Sequence, residues 1–273
     1  MNGRFQPLLL GLDLDGTLIA PLQPLSPRVI EAVRAAMQRG VRVTMVTGRM
    51  VAGCAPYVHE LGITGPIVCY QGAVIADAAT GKFEFERPLA NPTALRAYAA
   101  AKAHGYHVQF YADDRFFIEK RSRYSDLYAR VSGIEPIVVP SLPEAFAGRA
   151  STKVVLVTDA DQAERCQAVL HEACGDAAYI TRSNPEFVEL MDPSVDKGRA
   201  LARVAADYRI PMERVAAIGD SYNDLPLLRA AGFGVAMGSA PPELKAEADA
   251  VVGDVEHDGV AEAIERYVIN SAA

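Results

Sequence analysis

The sequence predicts an α/β fold in which a mostly parallel sheet is interrupted by an antiparallel α+β module. Three observations carry this prediction. Short β-rich runs alternate with helix-length segments toward both ends of the chain. In the middle the alternation gives way to paired short strands, and it resumes from Lys197. The first apolar run, ending Leu10-Gly11-Leu12, drives straight into two carboxylates, Asp13 and Asp15, and then into a turn at Gly16. Ligands of open α/β sheets bind outside the carboxyl ends of the strands, and polar groups delivered there are in the right place.

The elements follow in order. The first strand is about Leu8–Asp13. A helix begins near Ser26, which suits the cap, with Pro27 at the first helical position and Gly40 at the exit. Its apolar positions Val29, Ile30, Val33 and Met37 share one face. Val41–Val46 is the second strand and delivers Thr47-Gly48-Arg49. A helix is expected from about Met50 to Leu61, then a third strand, Ile67–Tyr70, ending at Gln71-Gly72. Ala73–Asp77 and Lys82–Glu86 read as a hairpin. Asn91-Pro92 opens a helix. Val108–Tyr111 and Phe116–Lys120 read as antiparallel strands around Asp113-Asp114. Thr152–Val157, a helix to about Cys174, Tyr179–Arg182 and Phe187–Met191 continue the α+β stretch. The alternation resumes with a helix from Lys197, strand Val215–Ile218, a helix from about Asn223, strand Phe233–Met237, a short helix, strand Ala250–Val252 and a last helix to about Ile269. The insertion is placed at 84–190, with 1–83 and 191–273 forming one discontinuous core.

The chain has 273 residues, half of them hydrophobic, enough for a sizeable core. A net charge of −7 argues against a nucleic-acid surface, and it means that an anionic substrate must be held by local groups. The cysteines Cys54, Cys69, Cys166 and Cys174 show no CxxC spacing and read as reduced, packed thiols of a cytoplasmic protein. The first seven residues hold no long apolar region, which argues against a signal peptide. No apolar run approaches the roughly 20 residues of a membrane span. The five histidines read as structural or surface groups.

Chemistry-bearing residues stand at four expected strand or helix ends: Asp13 and Asp15; Thr47; Lys197; and Asp220 with Asn223 and Asp224. Burying paired carboxylates is costly, and a divalent cation with hard oxygen ligands, Mg²⁺, offsets that cost. Phosphoryl transfer needs in-line attack and charge neutralisation. Asp13 can attack phosphorus, and Asp15 can protonate the leaving oxygen and then deprotonate water. Mg²⁺ can bridge Asp13, Asp220 and a phosphate oxygen, with the Asp15 carbonyl. Thr47 and the Gly48 amide can hold the transferring oxygens. Lys197 supplies positive charge, Asn223 can add a donor, and Asp224 can orient Lys197 or the metal waters. Taken singly, each feature also reads as a turn, a cap or a solvated charge. It is their joint order that points to one site. An EF-hand fails, because the glycine and glutamate positions counted from Asp13 hold Leu18 and Pro24. No P-loop, GxSxG or HExxH is present.

Asp13-Leu14-Asp15-Gly16-Thr17-Leu18, Val46-Thr47-Gly48-Arg49, Asp196-Lys197-Gly198 and Gly219-Asp220-Ser221-Tyr222-Asn223-Asp224 resemble the four motifs of the haloacid dehalogenase (HAD) superfamily. The run Val235–Ala240, Lys245, Ala248-Asp249 and Asp258-Gly259-Val260 is similar to the tail of its Cof-type phosphatase branch. The resemblance implies a Rossmann-like core with a large α/β cap, Mg²⁺ dependence and hydrolysis of phosphate monoesters. By position it implies Asp13 as nucleophile and metal ligand, and Asp15 as acid/base that also gives a carbonyl to the metal. Asp220 becomes the remaining metal ligand, and the Leu14 amide, Thr47, Gly48, Lys197 and Asn223 contact phosphate. The branch usually has Asn-Gly where this chain has Gln71-Gly72, and often Asn at Ser239.

The leading expectation is therefore a Mg²⁺-dependent phosphatase of small phosphorylated metabolites, sugar phosphates first. A sugar phosphomutase is the close alternative, and it would use a basic cluster such as Lys120, Arg121 and Arg123. A non-catalytic phosphometabolite-binding protein is disfavoured by the intact Asp13, Asp15, Lys197 and Asp220, and a metal-dependent sugar-nucleotide transferase could use an Asp-x-Asp but has no need of Lys197 or the Asp220-Asn223-Asp224 set. Candidate specificity residues are Arg49, Gln71, Arg123 and Glu186. The sequence leaves the substrate and the oligomeric state open.

Overall fold

A computed structural model describes residues 5–20 and 23–269. The first four residues, part of the N-terminal stretch read above for a signal peptide, lie outside them. The core sheet runs in the order β14-β13-β12-β1-β2, with β1 Leu9–Leu12, β2 Arg42–Met45, β12 Val215–Gly219, β13 Phe233–Ala236 and β14 Ala250–Val251. All of its pairings are parallel. β1 and β12 are buried throughout, which is why they read as unbroken apolar runs rather than alternating ones. Because β1 lies between β12 and β2, the loops after all three strands open on one edge.

A bridge from Val46 to Val68 continues this sheet into an antiparallel trio of β3 Pro66–Cys69, β4 Val74–Asp77 and β5 Phe83–Glu86. The inserted module carries a six-stranded sheet in the order β10-β11-β9-β6-β7-β8. Its strands are β6 His107–Ala112, β7 Arg115–Ile118, β8 Ile137–Val138, β9 Val154–Val157, β10 Tyr179–Asn184 and β11 Phe187–Met191. One face of it is covered by the helices Asn91–Ala103 and Ala163–Cys174 around Phe110, Leu156 and Leu190. The other face contributes Tyr111, Phe116, Val155 and Phe187 to the same apolar cluster as Leu12, Met50 and Tyr70 of the core. The module is therefore seated directly over the carboxyl edge of the parallel sheet.

Three expectations need correction. The boundaries at 83/84 and 190/191 fall inside β5 and β11, whose ladders hold Phe83–Glu86 with β4 and Phe187–Met191 with the inserted sheet. We propose that the crossings lie at 87–90 and 192–196, the stretches between β5 and the helix from Asn91 and between β11 and the helix from Lys197. The helix expected from Met50 to Leu61 breaks into a short turn, Val51–Gly53, and a helix, Ala55–Leu61. Pro56 lacks an N–H and suits only a first turn. The amides of Val51 and Ala52 are taken instead by Asp114 of the inserted module, at 2.9 and 2.7 Å. Third, the third strand stops at Cys69, because Tyr70 and Gln71 both adopt positive φ, 53° and 58°. The sequence reading also passed over the helix Arg123–Ser132. Its signals are Ser122, whose side chain caps Ser125 N, and the apolar set Tyr124, Leu127, Tyr128 and Val131.

Candidate active site

The loop after β1 turns sharply because the Leu14 carbonyl gathers the amides of Leu18 and Ile19, at 2.9 and 3.0 Å. Gly16 sits there with φ +83°, and a Cβ on it would lie 2.3 Å from the Asp220 carboxylate. Only glycine allows that approach. Thr17 Oγ1 donates to Asp220 Oδ1 at 2.8 Å, so the loops after β1 and β12 are tied at the metal-type residues themselves.

Asp13 is 4% exposed and Lys197 is fully buried. The Lys197 helix, Lys197–Asp207, starts at this point because Asp196 caps it, accepting from Arg199 N at 2.8 Å. Lys197 Nζ reaches both Asp13 Oδ1 and, at 2.6 Å, Asp224 Oδ1. Asp224 Oδ2 accepts the amides of Asp220 and Ser221 at 3.0 and 3.1 Å. Both oxygens of Asp224 are thus committed to Lys197 and to the backbone, and its place is to hold the cation and the loop.

The electrostatics are those of an incomplete charge set. Burial, helped by the charges of Asp224 and Asp220, pushes the Asp13 carboxyl well above the usual range against the pull of Lys197. Burial and the Asp224 charge push Asp220 up to about 7. Burial alone would lower the Lys197 ammonium, but Asp13 and Asp224 outweigh it and hold it raised. Ligand oxygens of Asp13, Asp220 and Asp224 lie within 4.8 Å of one another. With Asp224 already saturated, Asp13 and Asp220 are the pair whose desolvation remains uncompensated, and a hard divalent cation fits such oxygen donors.

Thr47 and Gly48 follow β2 on the opposite wall. Thr47 is held by the Val68 carbonyl and the Gln71 amide, at 2.9 and 3.0 Å. Asp13, Asp15, Thr47, Gly48, Arg49 and Asn223 line a cleft whose other wall is formed by Tyr128, Lys153, Asn184 and Phe187 of the inserted module. Arg49 forks onto Asp15, and Gln71 is fully buried between Glu189 and Asn223.

Two of the candidate specificity residues are elsewhere. Arg123 is exposed and bonds Asp159 and Tyr124 at 2.8 Å, since it lies on the solvent side of its helix. Glu186 sits in the β10–β11 turn, where its flanking residues Asn184 and Phe187, not its own side chain, reach the cleft. The sequence reading missed Lys153 and Glu189, both buried in the inserted sheet and both on the cleft wall. Charged residues alternating into otherwise apolar strands, Lys153 before Val154 and Glu189 between Val188 and Leu190, were the available signal.

The family model for haloacid dehalogenase-like hydrolases matches residues 10–264. The chain belongs to that family. It is 28% identical over 278 residues to the pyridoxal phosphate phosphatase YbhA of Escherichia coli, covering 96% of this chain and 98% of that one. It is 29% identical over 262 residues to the 5-amino-6-(5-phospho-D-ribitylamino)uracil phosphatase YcsE of Bacillus subtilis, covering 96% of each. A solved haloacid dehalogenase-like hydrolase from Bacteroides thetaiotaomicron superposes with a TM-score of 0.83 at 29% identity, over 96% of this chain and 99% of that one. This haloacid dehalogenase-like chain is an enzyme, a phosphatase of the family. Among its described residues, no helix is long and apolar enough to cross a membrane.

Proposed function

We propose that this haloacid dehalogenase-like chain hydrolyses phosphate monoesters of small metabolites, sugar phosphates first, through a phosphoryl group carried transiently on Asp13. The observation that supports this most is the convergence of buried Asp13 and Lys197 with half-buried Asp220 where the loops after β1 and β12 meet, Asp13 facing the cleft. An Asp13 oxygen attacks phosphorus and the P–O bond to the leaving group breaks. The departing oxygen takes a proton from Asp15, which then takes one from the water that attacks the aspartyl-phosphate. Thr47, the Gly48 and Leu14 amides and Lys197 bear on the transferring oxygens. Asp13, Asp220 and the Asp15 carbonyl would hold Mg²⁺, which when bound would supply the remaining positive charge. The inserted module, 84–190 in the sequence reading and bounded here by the two crossings, selects the substrate, because its side chains roof the cleft. The four buried, unpaired thiols suit a reducing, cytoplasmic setting.

The mutase reading is less supported, because two of the three residues in its basic cluster of Lys120, Arg121 and Arg123 are engaged otherwise: Arg121 pairs with Glu135 and Asp126, and Arg123 with Asp159, and neither lines the cleft. The test is phosphate release from a panel of phosphorylated sugars, nucleotides and cofactors with Mg²⁺, wild type beside Asp13→Asn. Release by wild type alone supports the reading. Equal release by both proteins refutes the nucleophile.

A further inference from the structure

Lys153 and Glu189 have no part in the chemistry above, yet they stand on the cleft wall at 1% and 2% exposure. Lys153 Nζ donates to Glu189 Oε2 at 2.6 Å and to the Gly48 carbonyl at 2.8 Å. A buried ion pair seldom stabilises a fold beyond its own desolvation cost, so stability alone is a poor account of it. Glu189 Oε1 accepts from Ser183 Oγ and, at 2.9 Å, from Gln71 Nε2. Gln71 Oε1 accepts from Asn223 Nδ2 at 3.0 Å. Asn223 Oδ1 is buried and has no partner.

This chain of bonds has one allowed direction. The Glu189 carboxylate, paired with Lys153, only accepts. Gln71 must therefore turn its NH₂ to Glu189 and its oxygen to Asn223, and Asn223 must turn its NH₂ to Gln71. Flipping either amide sets acceptor against acceptor or donor against donor at about 3 Å. The end of the chain is an oxygen, not a nitrogen, left over on a residue that shares the cleft with Asp13 and Thr47. A buried acceptor without a partner is costly, and a bound donor removes that cost. Gln71 also keeps a left-handed backbone, φ 58°, and its amide lies where a Cβ on Gly48 would be, 2.2 Å away. Strain and close packing of this kind persist where surrounding contacts over-determine them.

We infer that Glu189, acting through Gln71, fixes Asn223 with Oδ1 as an acceptor for a hydroxyl donor at the reacting centre, either a substrate hydroxyl or the attacking water. Glu189 and Gln71 are positioning residues of the phosphatase site, so the inference rests on the reading under Proposed function. Gln71 spans both partners, donating to Glu189 and accepting from Asn223.

A double-mutant cycle tests it on the best ester of the panel. Glu189→Gln should lower kcat about 10-fold in the wild-type background and less than about 2-fold beside Asn223→Ala, because the residues act as one unit. Gln71→Asn should show the same non-additivity. Equal losses in both backgrounds would reduce Glu189 to a structural residue and overturn the inference. Two arms separate the donors. A substrate hydroxyl makes the Asn223→Ala loss greater for a hydroxylated ester than for its deoxy counterpart. Attacking water makes the loss equal for all esters, with phosphoenzyme accumulating. The side-chain ¹⁵N–H₂ resonances of Gln71 and Asn223 give a readout free of activity: both should shift and lose solvent protection in Glu189→Gln. Shifted resonances with no hydrolysis of any ester would count against the phosphatase reading, and unshifted resonances against the network.

Discussion

Arg49 holds Asp15 by both oxygens, Nε to Oδ2 at 2.8 Å and Nη2 to Oδ1 at 2.6 Å. The arginine is the more buried partner, 13% exposed against 39% for the aspartate. A forked pair fixes orientation as well as charge, so Asp15 is aimed by Arg49 and must free one oxygen to reach a leaving group. Asp15→Asn is expected to lower kcat on alkyl phosphates by about 10²–10⁴-fold. On p-nitrophenyl phosphate, whose leaving group needs no proton, the loss should be smaller. Equal losses on the two esters would remove the acid role from Asp15.

Asp13→Asn keeps the size of the side chain and leaves Lys197 a hydrogen-bond acceptor, so the fold should survive with an unchanged circular dichroism spectrum. Loss of the attacking oxygen should reduce kcat roughly 10³-fold or more, on the scale seen when a catalytic nucleophile is removed. Trapped radioactive phosphoryl on wild type, absent from the variant, would complete the case. Label on the variant would assign the nucleophile elsewhere.

Much of the site is legible in the sequence because motif residues at strand ends need only local geometry. Asp13, Thr47, Lys197 and Asp220 each follow a strand or open a helix that hydrophobic pattern and capping chemistry reveal. What the pattern does not reveal is which groups meet across the insertion. Lys153, just before β9, and Glu189 on the antiparallel β11 lie 36 residues apart, and Glu189 and Gln71 lie 118 apart. Those contacts follow from the docking of two sheets, not from any local period. Arg123 does not line the cleft, and the sequence could not place it, because a basic residue beside a turn looks the same facing solvent or facing a cleft.

Metal binding should appear in stability as well as in rate. Mg²⁺ bound by buried Asp13 and half-buried Asp220 would offset their charges, so millimolar Mg²⁺ should raise the Tm of wild type, and Asp220→Asn should abolish most of that rise. Turnover should vanish after EDTA treatment and return with Mg²⁺. A Tm that ignores Mg²⁺ in wild type would contradict the oxygen cage.

His107 sets a separate pH dependence. Gln109 orients its Nε2 to the imidazole at 3.2 Å while its own oxygen takes the Tyr111 hydroxyl, so His107 Nε2 accepts and Nδ1 faces Ser122 Oγ at 3.2 Å. Burial pulls this imidazole down to about 4. The unfolded chain binds the proton near pH 6.5, and the folded chain resists it until about 4. Stability is therefore intact above pH 6.5, falls as pH drops through that window, and levels below it. His107→Gln should flatten the decline in Tm between pH 7 and 4 relative to wild type. A parallel decline in both proteins would place the acid sensitivity elsewhere.

Lys197 is the keystone of the charge set. It is the cation shared by two buried carboxylates, Asp13 and Asp224, and removing one member of a buried ion cluster typically costs about 3–5 kcal/mol. Lys197→Met fills similar space without charge and should lower Tm on the order of 10 °C for a chain of this size, with activity lost. Much of that cost is the repulsion left between Asp13 and Asp224, so adding Asp224→Asn should restore part of the Tm without restoring activity. The amide keeps one acceptor and can still serve the loop. If Lys197→Met were as stable as wild type, the ammonium would be a passenger rather than the group that makes burial of the carboxylates tolerable. If the double variant regained activity, the role of Lys197 at the transferring phosphoryl would fall with it.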